Sequence, residues 1–273
     1  NIACGYACHM WSYQHKAFTV HQIPALADNY LYLIEAGDTL ACVDPAEAAP
    51  IIKACDELNR PLTHILNTHH HWDHTGGNLE LKEHFDCTII GAAHDAARIP
   101  GIDQHISEGD IFKLDHVSVA VLDIPGHTSG HIAYVLKDDA CDALFCGDTL
   151  FGAGCGRLFE GTPEQMWHSL QKLMQLDENS RFYCAHEYTL NNLEFCFNKV
   201  SQSFDIKEYI DWSSARIKDG EPTIPGTLKR EVRCNPMLLA ANAEFRRDYA
   251  ASHKIADDAV SVFAHIREAR NHW

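Results

Sequence analysis

The sequence predicts an α/β domain followed by a helical one, and three observations carry that reading. Short apolar runs bounded by Gly, Asp and Asn alternate with stretches of helical period up to residue 187. From residue 188 onward helical period dominates and no strand pattern is visible. The residues best suited to hold metal ions fall at the ends of predicted strands, where loops build open sites on a rigid scaffold.

The elements follow in order. Residues 18–23 alternate apolar and polar, as a half-buried strand does. Residues 30–36 and 39–43 read as two strands joined at Gly37-Asp38, a hairpin turn. Residues 47–58 form a helix with Ile51, Ile52, Cys55 and Leu58 on one face. A strand over 62–66 runs into a histidine-rich loop, and 77–85 is helical. Further strands are expected over 87–91, 117–124, 131–136, 143–146 and 182–184. Thr162-Pro163-Glu164-Gln165 combines an N-cap, a first-turn proline and a capping-box Gln, so a helix starts there and runs to about residue 176. Helices are then expected over 190–200, 207–218, 241–251 and 257–270. The organisation is an N-terminal extension over 1–17, a mixed domain over 18–187 and a helical domain over 188–273.

Composition narrows the function classes. A net charge of −16 argues against nucleic acid, whose recognition rests on Lys and Arg. No apolar run approaches the ~18 residues of a membrane span. Eleven cysteines without a Cys-x-x-Cys pair suit reduced thiols, many of them buried. Residues 1–17 carry no apolar h-region and no Arg-rich amphipathic pattern, so neither a signal peptide nor a transit peptide is expected there. A monomer in the cytoplasm is the expectation, with mitochondria as the alternative compartment.

Thr68-His69-His70-His71-Trp72-Asp73-His74 puts four histidines and an aspartate within six residues, directly after an apolar run. Packing gives no reason for such a density of imidazole. Imidazole and carboxylate together suit zinc, iron or manganese. Four donors on one short loop cannot all reach one ion and leave it an open position, so two ions are indicated. Three further candidates end predicted strands: His127 in Pro125-Gly126-His127-Thr128-Ser129-Gly130-His131, Asp148 in Cys146-Gly147-Asp148-Thr149, and His186 in Ala185-His186-Glu187-Tyr188. Each alone is more often a turn residue. In this order, and together, they form a strong signal.

The order His-x-His-x-Asp-His, Gly-His-Thr-x-Gly-His, Cys-Gly-Asp-Thr-Leu and Ala-His-Glu-Tyr-Thr resembles the metallo-β-lactamase superfamily, and within it glyoxalase II, the hydroxyacylglutathione hydrolases. Residues 152–162 are similar to a signature of that family, and the resemblance spans roughly residues 18–270. It implies an αββα sandwich with a C-terminal helical domain. It implies that His69, His71 and His127 hold a first divalent ion, and Asp73, His74 and His186 a second. Asp148 would bridge the two beside a bridging water or hydroxide, which makes Asp73 and Asp148 the catalytic carboxylates. Zinc is expected, with iron or manganese as alternatives. His70 and Trp72 occupy variable positions of the motif, His131 is expected to support a ligand by hydrogen bonding, and Cys146 is expected to be buried and off the metals.

The implied reaction is hydrolysis of S-(2-hydroxyacyl)glutathione, chiefly S-D-lactoylglutathione to glutathione and D-lactate. Two divalent ions less Asp73, Asp148 and one hydroxide leave about one positive charge for a developing oxyanion. A thiol with a pKa near 8.5 leaves as thiolate without prior protonation, which suits a thioester better than an amide. Arg157, Phe159, Tyr188, Asn192, Arg267 and Arg270 match the family's substrate contacts, in a cleft expected between the two domains. Arg270 stands where the family usually has Lys, and Phe159 where some members have Tyr. Three rivals stand beside this reading: a persulfide dioxygenase with one iron, against which the long helical tail argues; a β-lactamase, which would carry Cys at the place of Asp148; and a non-enzymatic metal-binding protein with a degenerate site. Trypanothione-type thiols remain open as alternatives to glutathione.

Overall fold

The computed structural model describes residues 10–273, and they fall into two compact units that do not follow chain order. The first comprises the described residues up to Leu122 together with Ile132–Ala140. The second comprises Asp123–His131 and Cys141–Trp273. Residues 1–9, the first part of the expected extension over 1–17, lie outside the described residues.

The first unit is built on a seven-stranded sheet in chain order: β1 (Trp11–Gln14), β2 (Thr19–Ala25), β3 (Asn29–Ala36), β4 (Thr39–Val43), β5 (His64–Leu66), β6 (Thr88–Ala92) and β7 (Gln104–Ile106). The first four strands pair antiparallel, β3 and β4 across the turn at Gly37-Asp38 that the sequence predicted. From β4 onward pairing is parallel, and the first two crossovers carry α-helices. These are α1 (Ala48–Leu58), the one-turn α2 (Trp72–Thr75) and α3 (Asn78–Phe85). Parallel strands are covered on both faces, so β4 reads as a nearly continuous apolar run. Leu33, Leu40 and Cys42 from the sheet pack against Ile51, Ala54 and Cys55 of α1, all essentially inaccessible to water. Asn59 ends α1 in the left-handed conformation (φ 51°), which Asn tolerates. Strands β8 (Ile111–Leu114), β9 (Val117–Asp123) and β10 (Ile132–Leu136) lie side by side in that order.

In the second unit β11 (Ala143–Gly147) precedes a short antiparallel hairpin of β12 (Leu150–Phe151) and β13 (Gly154–Cys155). Then come α4 (Pro163–Met174), β14 (Arg181–Cys184), α5 (Thr189–Lys199), α6 (Phe204–Lys218), β15 (Gly226–Thr227), α7 (Leu228–Cys234), α8 (Ala243–His253) and α9 (Ala259–Asn271). The capping box on α4 forms as expected: Gln165 N–H donates to Thr162 Oγ1, and Thr162 N–H to Gln165 Oε1. One expectation is corrected. The chain after residue 188 is not free of strands, because β15 pairs antiparallel with β14, which itself runs parallel to β11. Two residues are too few for any period to show in the sequence. A satellite core of Leu193, Cys196, Ile206, Tyr209 and Cys234 joins α5, α6 and α7. No helix among the described residues is long and apolar enough to cross a membrane.

Candidate metal centre

Each unit gathers one part of the expected ligand set. In the first, the loop after β5 carries His69, His71, Asp73 and His74, and α2 turns the last two inward. His74 is fully buried, and its Nδ1 lies 3.0 Å from Asp44 Oδ2. Asp44 also accepts from the Thr68 backbone N–H at 2.7 Å and from Thr68 Oγ1 at 2.6 Å. Carboxylates only accept here, so His74 carries its proton on Nδ1 and presents a bare Nε2. The same logic fixes His69. Thr68 gives its hydroxyl proton to Asp44, so its oxygen accepts from His69 Nδ1 at 3.1 Å. The bare His69 Nε2 then lies 3.1 Å from His71 Nδ1. Two imidazole nitrogens hold that distance when a proton or a cation lies between them. Asp44, His69 and His74 place donor atoms within 4.8 Å of one another. The oxygens of Asp44 are, however, engaged by Thr68 and His74, so the carboxylate orients these candidate ligands. His74 Nε2 lies 3.6 Å from Asp73 Oδ2, and Asn29 Nδ2 holds the Asp73 carbonyl at 3.2 Å.

The second unit repeats the pattern around Asp148. Gly147, in the left-handed region (φ 47°), turns the chain at the end of β11, where pairing with β14 is irregular, and directs Asp148 out of the sheet. One carboxylate oxygen faces His127 Nε2 at 3.3 Å and the other faces His186 Nε2 at 3.4 Å. His127 donates from Nδ1 to the Arg157 carbonyl at 2.9 Å, so its Nε2 is bare. A bare nitrogen against a carboxylate oxygen is repulsive until a cation lies between them, so the donor set fits a divalent metal. Asp148 N–H donates to Nε2 of the buried His131 at 3.1 Å, the supporting role expected of that residue. His186 stacks on Tyr188 at 4.8 Å between ring centroids.

The residues expected off the metals have other partners. His70 turns to Asp95, with Nδ1 3.0 Å from Oδ2. Cys146 is buried, its thiol donates to the Leu150 carbonyl at 3.3 Å, and burial pushes its pKa up, which keeps it neutral. Sequence reasoning missed Asp44. The signal was a carboxylate directly after an apolar strand, in Val43-Asp44-Pro45, and its left-handed φ of 49° marks a special turn.

The expected substrate residues lie in the second unit. Arg157 and Phe159 are exposed, and the Phe159 ring stands 5.2 Å from that of His127. Asn192 donates to the Gly152 carbonyl at 3.0 Å, and its Oδ1 accepts from Arg270 Nε at 3.1 Å. Burial, with Arg267 and Arg157 nearby, holds the Arg270 guanidinium below its ordinary pKa. Arg267 has a further task. It is only 5% exposed and donates to the Cys155 carbonyl at 2.7 Å, which ties α9 to the hairpin.

The family model for the metallo-β-lactamase superfamily matches residues 28–186, and the model for the hydroxyacylglutathione hydrolase C-terminus matches 187–273. A hydroxyacylglutathione hydrolase of Methylococcus capsulatus is 46% identical over 252 residues, covering 92% of this chain and 96% of that protein. One of Rhodospirillum rubrum is 44% identical, covering 93% and 98%. Among solved structures, ETHE1 from Myxococcus xanthus superposes with a TM-score of 0.60 at 21% identity, covering 96% of this chain and 89% of that one. TTHA1623 in a di-iron-bound form gives 0.51 at 26% identity, covering 60% and 89%.

Proposed function

This chain belongs to the metallo-β-lactamase superfamily and, within it, to the hydroxyacylglutathione hydrolases, and from that premise we propose that it hydrolyses S-(2-hydroxyacyl)glutathione thioesters. S-D-lactoylglutathione is the main substrate, with glutathione and D-lactate as products, in methylglyoxal detoxification. The observation that carries the reading is Asp148, whose two oxygens each face one imidazole nitrogen at 3.3 and 3.4 Å. That is the arrangement of a carboxylate made to serve two cations. His69, His71 and His127 would hold one divalent ion, Asp73, His74 and His186 the other, and Asp148 both; we propose zinc. Bound there, the ions would supply an activated water at neutral pH and polarise the thioester carbonyl.

The chain's own residues do the rest. Asp44, Thr68 and the Arg157 carbonyl fix His74, His69 and His127 as Nδ1–H tautomers, so each presents Nε2. Arg157 and Arg270 supply cations for the glutathione carboxylates in an otherwise acidic protein. No dedicated acid is needed, because a thiolate leaves unaided near neutral pH. The nine described cysteines are thiols, which suits a reducing cytoplasm, where we place the protein as a monomer.

Elemental analysis beside a thioester assay tests the reading. Fully loaded protein should carry two metals per chain and hydrolyse S-D-lactoylglutathione. Full activity at one metal per chain would remove the binuclear centre, and no hydrolysis at two would remove the substrate.

Arg270→Ala should raise KM about tenfold or more and leave kcat nearly unchanged, since a charged hydrogen bond is worth roughly 1.5–3 kcal/mol and acts in ground and transition state alike. A small thioester without glutathione's carboxylates should be hydrolysed alike by wild type and variant. A collapse of kcat at constant KM would take Arg270 out of the clamp.

A further inference from the structure

A buried polar cluster outside the candidate ligands belongs to α7. Glu231 and Asn235 are completely buried. Glu231 Oε2 accepts from Ala153 N–H at 2.7 Å and from Asn235 Nδ2 at 2.9 Å, and Oε1 accepts from the Tyr209 hydroxyl at 2.9 Å. Asn235 Nδ2 also reaches the Phe151 carbonyl at 3.3 Å and the Gly154 carbonyl at 3.0 Å. Both strands of the β12–β13 hairpin are therefore tied to one carboxylate and its neighbouring amide. Ala153, at the hairpin's turn, sits in the left-handed region (φ 52°), a conformation that alanine holds only where its surroundings impose it.

The hairpin and the residues that flank it adjoin all three candidate ligands of their unit. Asp148 lies two residues before Leu150. Gly156 follows Cys155, and its N–H donates to the Thr149 carbonyl at 3.3 Å. The next residue, Arg157, takes the His127 proton on its carbonyl at 2.9 Å. The Phe151 ring packs against His186 at 5.8 Å and Tyr188 at 5.2 Å.

We propose that Glu231 is a positioning residue: it holds the hairpin in place from α7 and thereby sets the orientation of His127, Asp148 and His186. The inference rests on the proposed role of those three as metal ligands. Burial lifts the Glu231 carboxyl to about 7, while Ala153, Tyr209 and Asn235 act in the opposite direction. Glu231→Gln keeps an acceptor oxygen for Ala153 and Asn235 and can turn its amide N–H to the Tyr209 oxygen.

The test uses the full chain and two readouts, zinc affinity by chelator competition and the kinetics of S-D-lactoylglutathione hydrolysis. Glu231→Ala should weaken zinc binding and lower kcat about tenfold or more, the range seen when partners behind a ligand are removed, with little change in KM. Glu231→Gln should stay close to wild type in both. Ile206→Ala, in the same satellite core, is the control for lost stability. It should lower the melting temperature and leave zinc affinity and kcat in place. If Glu231→Ala does no more than Ile206→Ala, or Glu231→Gln is as damaging as Glu231→Ala, the proposal is overturned. Should Glu231→Ala fail to fold, Asn235→Ala releases the Phe151 and Gly154 carbonyls and should weaken zinc binding; unchanged affinity would overturn the proposal equally. A wild-type protein that binds zinc without hydrolysing the thioester would refute the proposed substrate, while the zinc measurements would still decide the role of Glu231.

Discussion

Asp148→Ala is expected to lower kcat/KM by more than about a hundredfold, because partners one step behind a metal ligand already cost 10–100-fold when removed. The carboxylate faces both His127 Nε2 and His186 Nε2, at 3.3 and 3.4 Å. Its loss leaves Asp73 as the one carboxylate of the proposed ligand set to balance two divalent charges, so metal content should fall along with activity. His70→Ala provides the contrast. It stands in the same histidine-rich loop as the candidate ligands, but its Nδ1 is engaged with Asp95 at 3.0 Å. That variant should keep its metals and most of its activity. Elemental analysis and steady-state kinetics on both proteins decide the matter. Equal losses in the two would mean that the ligand set has been misassigned.

Gly156→Ala should be nearly as harmful without removing any functional group. A Cβ at this position would stand 2.0 Å from the Asp148 carbonyl oxygen and 3.0 Å from His127 Nδ1. Neither is the loose end of a flexible side chain. Backbone must move, and it is the backbone that carries the proposed bridging carboxylate. Overpacking of this kind costs about 1–3 kcal/mol of stability. The displacement also disturbs the hydrogen bond from His127 Nδ1 to the Arg157 carbonyl, which sets the tautomer. We expect kcat to fall about tenfold or more, as for other losses behind a metal ligand. Thermal melting and kcat measured together check this. A variant that melts like wild type and turns over like wild type would show that the loop yields freely, and the tight packing around Gly156 would then have no functional weight.

Most of the regular structure was legible because local rules sufficed. The strand over Thr39–Val43 was read with both its ends, and the capping box of α4 formed as its four residues predicted. Helix α1 was readable from one apolar face, and its last residue, Leu58, was placed correctly. The misses share a cause. Strands β1, β7, β8, β12, β13 and β15 have four residues or fewer, too short for a period of two to stand out from chance. Their existence depends on a neighbouring strand to pair with, which is a property of the tertiary fold.

The candidate site divides along the same line. The sequence by itself determined the donor chemistry: His69, His71, Asp73 and His74 on one loop, then His127, Asp148 and His186 at strand ends. It did so because metal ligands are a matter of residue type and close spacing, and both are written locally. Only the tertiary structure decided which nitrogen His74 and His127 present. That choice belongs to distant residues: Asp44, thirty positions from His74, and the Arg157 carbonyl, thirty positions from His127. Only the structure showed that Arg267 is drawn inward to the Cys155 carbonyl while Arg270 rests on Asn191 and Asn192, although the two lie three apart on one helix. Glu231 had no signal at all, because a carboxylate in a helix rich in charged residues reads as surface. Burial among partners 22 and 78 residues away turns it into an anchor, and hydrogen-bond partners at such separations are set by packing rather than by sequence pattern.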